Sequence, residues 1–318
     1  MSHDLAIVIV NYNTRELLAD CLNSIWESQG GFSFRVLVVD NHSSDGSADL
    51  VRQNYPQVEL IPSPVNGGFA YANNLGLRTL KLDTPQAGET PDPRYVLLLN
   101  PDTILPPSAL QTMLAFMDAH PKTGAAGPRL VLPNGELDRA CRRSFPSPEV
   151  SFYRLTGLSF LFPRSPRFGR YNLTFLDPAI STEVDSVVGA FMMVRSQAVR
   201  QVGLLDERFF MYGEDLDWAF RLKQAGWSIY YNADVTVLHY KEASSKGNRS
   251  IRTKTRYEFY RAMYLFYHKH YAAQTPRWLH GLVLLGLVLR GGIALLGEGL
   301  RSLADHRSRE TAGTAEAT

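Results

Sequence analysis

The chain has 318 residues, 45% of them hydrophobic, which is enough for one large domain or two ordinary ones and excludes intrinsic disorder for most of its length. Lys and Arg number 33 against 31 Asp and Glu, and the formal charge of +2 excludes a uniformly basic surface and gives no reason to expect a nucleic-acid partner. The sum hides a segregation: up to Tyr240 there are 20 basic and 25 acidic residues, and beyond it 13 basic and 6 acidic.

Cys21 and Cys141 are too few for a disulfide framework or a Cys-based zinc site, and the first residues lack the basic-then-apolar pattern of a signal peptide. A reducing, cytoplasmic setting is expected.

Leu5–Val10 is an unbroken apolar run and predicts a strand buried on both faces, as a parallel sheet requires. Thr14 is placed to cap a helix carrying Leu17, Leu18, Leu22 and Ile25. Strands follow at 34–39 and 58–61, with a helix between them that starts in the polar turn Ser43–Ser47. That β-α-β-α-β order implies right-handed crossovers and ligands beyond the C-terminal strand ends. Asn66–Ala70 opens a helix with Asn73, Asn74 and Gly76; residues 81–94 read as a surface loop and 95–99 as a strand. Residues 139–170, with seven Arg and one Glu, read as a long, partly mobile insertion. A strand over 184–194, a helix over 214–225 and a last strand over 229–239 complete one domain ending near residue 240.

Asp40 and Asp102 each stand at a strand end, where a carboxylate either accepts hydrogen bonds from a nucleotide, holds a divalent cation against a diphosphate, or merely caps the next helix. Glu214, Asp215 and Asp217 crowd the start of one helix. They either complement its dipole or, through repulsion and burial, supply a general base. His239, after an apolar strand, is either a structural histidine or a partner of Asp102 in a cation site. Ser43–Ser47 suits a phosphate turn or a plain solvent turn.

As an ordered set, Asn11-Tyr12-Asn13, Asp40-Asn41 with Ser43–Ser47, Asn66–Ala70 with Asn74 and Gly76, Asn100-Pro101-Asp102, Gly189-Ala190, Glu214-Asp215 and His239 resemble glycosyltransferase family 2 enzymes. The closest likeness is to the bacterial rhamnosyltransferase-like branch. The resemblance implies a GT-A fold: a Rossmann-like, mostly parallel sheet flanked by helices. It implies that Asn11, Tyr12, Asp40, Gly68 and Asn74 surround the nucleotide and that Gly189 and Ala190 line the donor sugar. Asn100-Pro101-Asp102 takes the place of the DXD motif, with Asn100 departing from the acidic pattern. Asp102 and His239 would hold Mg2+ or Mn2+. Asp215 is implied as the base, Glu214 as its alternative, and Asp217 and Trp218 as acceptor-side residues. Trp218 is equally suited to stacking on a sugar or to packing in the core. The expected reaction is inverting transfer of L-rhamnose from dTDP-rhamnose to a lipid-linked or polysaccharide acceptor of cell-surface glycan. The alternatives are a UDP-hexose transferase, a nucleotidyltransferase, or a non-catalytic carbohydrate-binding relative.

Residues 241–305 form a basic, aromatic extension, and 306–318 read as a disordered tail. Within the extension, Leu279–Leu296 is apolar but for His280 and Arg290. As a helix it would reach ~27 Å, short of a ~30 Å hydrocarbon core, so an interfacial helix on the cytoplasmic leaflet is expected. Packing on the domain or on a second subunit is the alternative.

Overall fold

The computed structural model describes residues 3–84, 92–241 and 249–294, without side chains for 249–252. The chain divides into two compact units, Met1–Phe210 with Glu214–Ser244, and Met211–Gly213 with Ser245–Thr318.

In the first unit, β1 (Leu5–Asn11) is buried along its whole length, as its unbroken apolar run over 5–10 requires. β2 (Phe34–Asp40) pairs with it in parallel, Leu5 opposite Phe34 and Asn11 opposite Asp40. β3 (Glu59–Pro62) continues the parallel set outside β2, and β4 (Tyr95–Leu99) joins β1 on its other side. One register therefore brings Asn11, Asp40 and Asn100 to the same sheet edge.

The connecting helices α1 (Arg15–Trp26), α2 (Ser47–Asn54) and α3 (Phe69–Thr79) follow the expected spacing, and α1 buries Leu18, Cys21, Leu22 and Ile25. Thr14 does precede α1, but its hydroxyl donates to Asn11 Oδ1 at 2.6 Å instead of capping. The exposed helix donor at Arg15 N is met by Asp45 Oδ2 at 2.9 Å, so the Ser43–Ser47 turn caps the first helix from a distance. Gly76 lets α3 lie directly on β1, since a Cβ there would come within 2.6 Å of Val8 Cγ1.

The rest of the sheet departs from expectation. Its order among the described residues is β3-β2-β1-β4-β8-β6-β9-β5, with β7 (Thr182–Glu183) paired to β9. The strand expected over 184–194 is only β8 (Phe191–Arg195), and it runs antiparallel to β4. β6 (Thr123–Val131) pairs antiparallel with β8 and parallel with β9 (Ser228–His239); β5 (Thr103–Ile104) and β7 pair antiparallel with β9. Four pairings are parallel and four antiparallel, but the parallel ones hold most of the paired residues, so the sheet is mostly parallel, with antiparallel strands on both sides of β8 and along β9. β6 escapes sequence reading because Thr-Gly-Ala-Ala-Gly-Pro has no alternation of large apolar residues. Its small residues admit Trp227 and Val187, which lie 2.6 and 2.9 Å from Cβ positions at Gly124 and Gly127.

Helices α4 (Ala109–Ala119), α5 (Pro148–Leu155), α6 (Leu158–Leu161), α7 (Ser196–Val202) and α8 (Glu214–Gln224) complete this unit. The expected mobile insertion is instead built structure. Ser147 caps α5 at Val150 N (3.2 Å), and buried Arg142 donates to the carbonyls of Leu176 (2.7 Å) and Asp177 (2.9 Å).

The second unit contains α9 (Arg249–His270) and α10 (Arg277–Ala294), joined through a 3-10 turn. Tyr267 and His280 tie them, Oη to Nδ1 at 2.9 Å. Among the described residues, α10 is long and apolar enough to cross a membrane, with mean hydropathy 1.3, and it exposes Trp278, Leu282, Leu285, Val288, Leu289 and Ile293. The expected tail at 306–318 lies outside the described residues.

Because Val8 and Gly76 are in contact with no space for a methyl group, Gly76→Ala is expected to cost about 1–3 kcal/mol through overpacking. Urea denaturation should show a lower midpoint with an unchanged slope.

Candidate active site

The site is assembled at the sheet edge from short strand-end segments. Asn11 is fully buried and sends Nδ2 to Asp40 Oδ1 (3.2 Å) and Ser43 Oγ (3.1 Å); Asp40 Oδ2 accepts Ser43 N at 3.0 Å. Asn11 therefore orients Asp40, while Tyr12 is half-buried beside it. Both strands leave the edge through left-handed residues, Asn13 (φ 53°) and His42 (φ 69°), which turns the chain sharply and keeps the rim open.

Asn41 strings the next loop to β2, accepting Gly67 N at 3.1 Å and donating to Asn66 Oδ1 at 3.0 Å. Gly68 has φ 89°, and a Cβ there would meet Phe210 O at 2.3 Å; its neighbour Phe69 N donates to that same carbonyl at 2.7 Å. Asn74 does not face this rim. Its amide clamps the 203–210 loop, accepting Leu205 N at 3.0 Å and donating to Leu205 O and Glu207 Oε1, both at 2.9 Å. The expected nucleotide contact from Asn74 is corrected to a buried loop anchor.

The antiparallel start of β8 abuts the end of β4: Asn100 N donates to Ala190 O at 2.9 Å, joining Asn100-Pro101-Asp102 to Gly189-Ala190. Gly189 N donates in turn to Asp215 Oδ2 at 3.0 Å. The same oxygen receives Arg143 Nη2 at 2.7 Å, and Asp215 Oδ1 accepts Leu216 N at 2.7 Å. Both side chains of this ion pair are buried, at 9% and 8% exposure, so the charges face each other without water between them. Arg143 Nη2 also donates to Val187 O at 3.0 Å. Burial works against the guanidinium's charge, but Asp215 holds its pKa above the ordinary value.

Glu214 differs from its neighbour. Its Oε2 is buried without a hydrogen-bond partner, and burial, reinforced by the charge of Asp215, raises its pKa well above the usual carboxylate range. Asp217 and Trp218 correct the acceptor assignment. Asp217 is wholly buried and paired with Arg221 (2.9 Å), and Trp218 is wholly buried with Nε1 donating to Gly203 O at 2.9 Å. Neither offers a surface to a ligand.

On the other flank, β5 and β9 place Thr103 opposite His239, which brings His239 Nε2 to 3.3 Å from Asp102 Oδ1. That buried oxygen has no properly aligned hydrogen-bond donor. His239 Nδ1 meets Asp138 Oδ2 at 3.0 Å, and Lys241 Nζ meets Asp138 Oδ1 at 2.7 Å. Burial works against the imidazolium, but the hydrogen bonds and charges of Asp102 and Asp138 outweigh it and lift His239 to about 9. A cationic ring stands where a carboxylate and a histidine nitrogen converge. Asp102 and His239 thus stand as an ion pair, and His239 could turn Nε2 to a metal only by releasing its proton; among the described residues no group of three or more His, Cys, Asp or Glu side chains is placed to hold a metal ion.

Sequence reading missed Asp138 and Arg143, which lie 101 and 72 residues from the partners they hold. For Arg143 a signal did exist, in the excess of Arg over acids in its segment; Asp138 had none.

The protein-family model described as glycosyltransferase like family 2 matches residues 3–258. An N-acetylglucosaminyl-diphospho-decaprenol L-rhamnosyltransferase of Mycobacterium tuberculosis is 33% identical over 210 residues, covering 66% of this chain and 67% of that protein. Rhamnosyltransferase WbbL of Escherichia coli is 27% identical over 254 residues, covering 78% and 86%. Among solved structures, mannosyltransferase PcManGT of Pyrobaculum calidifontis, in complex with GDP-Man and Mn2+, superposes with a TM-score of 0.53. At 16% identity, covering all of this chain and 81% of that one, it shows the shared GT-A fold.

Arg143→Met leaves the Asp215 charge buried without its partner and should cost about 3–5 kcal/mol. Adding Asp215→Asn should restore part of that loss in a double-mutant cycle read by chemical denaturation.

Proposed function

The chain belongs to the family 2-like glycosyltransferases, and from that premise we propose that it transfers L-rhamnose from dTDP-rhamnose, with inversion, to a lipid-linked acceptor in cell-surface glycan synthesis. The observation that carries this reading is the hydrogen-bonded line from Asn100 through Ala190 and Gly189 to Asp215. It sets a carboxylate against the small residues where a donor sugar would lie, on the same edge as Asp40 and Asp102. Relatives named rhamnosyltransferases support the sugar, and the mycobacterial relative's name supports a lipid-diphosphate acceptor. Asp40 suits the imide of a pyrimidine, which thymine and uracil share, so a UDP-hexose donor is the competing reading.

In this scheme Asn11 and Ser43 fix Asp40 against the base, and Gly189 and Ala190 leave room for the sugar. Asp215 takes the proton of the acceptor hydroxyl, with Arg143 and Gly189 N holding the carboxylate in place. Asp102 and, once its Nε2 proton is released, His239 would hold Mg2+ or Mn2+, which would offset the charge of the departing nucleoside diphosphate. Asp138 keeps His239 Nε2 facing that position. A location on the cytoplasmic face of the membrane belongs to the same proposal, supported by the exposed apolar side chains of α10.

A second reading is favoured by the raised pKa and unpartnered oxygen of Glu214, which would make Glu214 the base. The two give different kinetics. With Asp215 as base, Asp215→Asn should lower kcat about 10²–10⁴-fold with donor affinity little changed, while Glu214→Gln keeps most of the turnover. With Glu214 as base, turnover would require its deprotonation. kcat/KM would then climb with pH beyond the carboxylate range, and Glu214→Gln would abolish that limb. The assay uses dTDP-rhamnose and UDP-glucose in parallel, and faster transfer from UDP-glucose would overturn the donor assignment.

Asp138→Asn should weaken Mn2+ binding in the presence of dTDP about 10–100-fold, measured by calorimetry.

A further inference from the structure

The segment that grips Asp215 from within also carries a large apolar surface at its far end. Phe160 and Leu161 on α6 are each 71% exposed, with Phe152 and Phe162 more than half exposed beside them. Soluble surfaces rarely gather large apolar side chains so closely without a partner. The cluster is not a frayed loop. Phe162 packs on Phe168 (5.6 Å between ring centroids), Phe168 on buried Tyr153 (4.9 Å), and Tyr153 on Phe152 (6.1 Å). Beneath it, Ser144 N donates to Tyr171 O at 2.8 Å, and Arg142 ties the base to the 176–177 carbonyls.

Charge surrounds this tip. Arg154, Arg164, Arg167 and Arg170 are all exposed, and within residues 139–170 the single acidic residue is Glu149, already engaged by Tyr153 and Arg167. Arg154 lies over the Tyr171 ring at 4.5 Å and Arg167 over Phe168 at 6.0 Å, so the guanidiniums are seated on the same aromatic scaffold that presents the apolar residues. Apolar and aromatic side chains rimmed by arginines match the two layers of an anionic bilayer surface, acyl boundary and phosphate.

We propose that the α5–α6 segment of the first unit is a membrane-docking edge: Phe152, Phe160, Leu161 and Phe162 enter the interface of an anionic bilayer while Arg154, Arg164, Arg167 and Arg170 bind its headgroup phosphates. The edge lies in the first unit, which holds the candidate active site. Its purpose rests on the lipid-linked acceptor proposed above, but its lipid binding does not. The root of the segment at Arg143 holds the candidate base, so a bilayer that seats the tip approaches the same segment that positions Asp215.

The test uses the full chain without donor or acceptor. Leu161→Cys is labelled with an environment-sensitive nitrobenzoxadiazole; native Cys21 and Cys141 are buried, their thiols pushed up to about 12 and about 11, and do not compete for the label. With phosphatidylcholine vesicles containing about one-third phosphatidylglycerol, the label should shift to the blue and be quenched by shallow doxyl lipids. The triple variant Phe160→Ser, Leu161→Ser, Phe162→Ser should weaken sedimentation with those vesicles at least about tenfold. Replacing the four arginines by Gln should remove the preference over pure phosphatidylcholine. Vesicles that bind the chain without moving the label would overturn the proposal, as would unchanged sedimentation of the triple variant. A blue shift that follows protein concentration without vesicles would also overturn it and assign the patch to a second copy. Transfer to a soluble acceptor, measured separately, tests the glycosyltransferase reading, so either can fail alone.

Discussion

The ion pair between Arg143 and Asp215 is the constraint around which the site is organised. Two opposite charges withdrawn from water are tolerated only when both are also hydrogen-bonded, and here the backbone supplies the remaining partners. Gly189 N and Leu216 N complete Asp215, and Val187 O shares Arg143 Nη2, while Arg143 Nε stays buried without a hydrogen-bond partner. Satisfying that pair fixes three segments at once: the base of the 139–170 segment, the loop entering β8, and the start of α8. Gly189 and Asp215 are therefore placed by one electrostatic requirement and not by separate loops.

The opposite flank works on a different principle. Around Asp102, His239, Asp138 and Lys241 the protein gathers two carboxylates and two cationic groups, and one carboxylate oxygen still lacks a well-aligned partner. Each cluster keeps one buried polar atom without a partner, Arg143 Nε in the first and Asp102 Oδ1 in the second. A carboxylate that accepts three donors suits a residue that must hold one orientation. An under-satisfied oxygen beside an oriented imidazole suits a place that receives charge from outside.

Much of this was legible in the chain. The apolar runs at 5–10, 34–39 and 95–99 could bury only as central strands, and parallel pairing then made the polar residues at their ends neighbours. Asp40, Asn100 and Asp102 follow from that geometry. Legibility failed where the deciding contact is long-range. Arg143 sits in a segment whose composition suggests a mobile insertion, Asp138 just precedes it, and no local pattern announces that each meets a partner on α8 or β9. Trp218 and Asp217 were misplaced for a related reason. Acidic and aromatic residues at a helix start look available, but the helix turns Trp218 toward Gly203 O and Asp217 toward Arg221, and both are covered. Small residues hid β6 because its fit comes from what it lacks.

The tandem arginines at 142 and 143 have a consequence for how the chain finds its alignment. Arg142 is extended (φ −145°, ψ 125°), and the next residue bridges to Ser186, so successive side chains leave in opposite directions. One reaches the carbonyls of Leu176 and Asp177, and the other reaches Asp215. Sliding this stretch by one residue would put Cys141 or Ser144 where a guanidinium is required, and would strand either a buried carboxylate or a pair of buried carbonyls. Frame-shifted pairings are usually rejected because they turn greasy side chains outward. Here the rejection is ionic: the two guanidiniums act as a two-digit key that only one frame can turn.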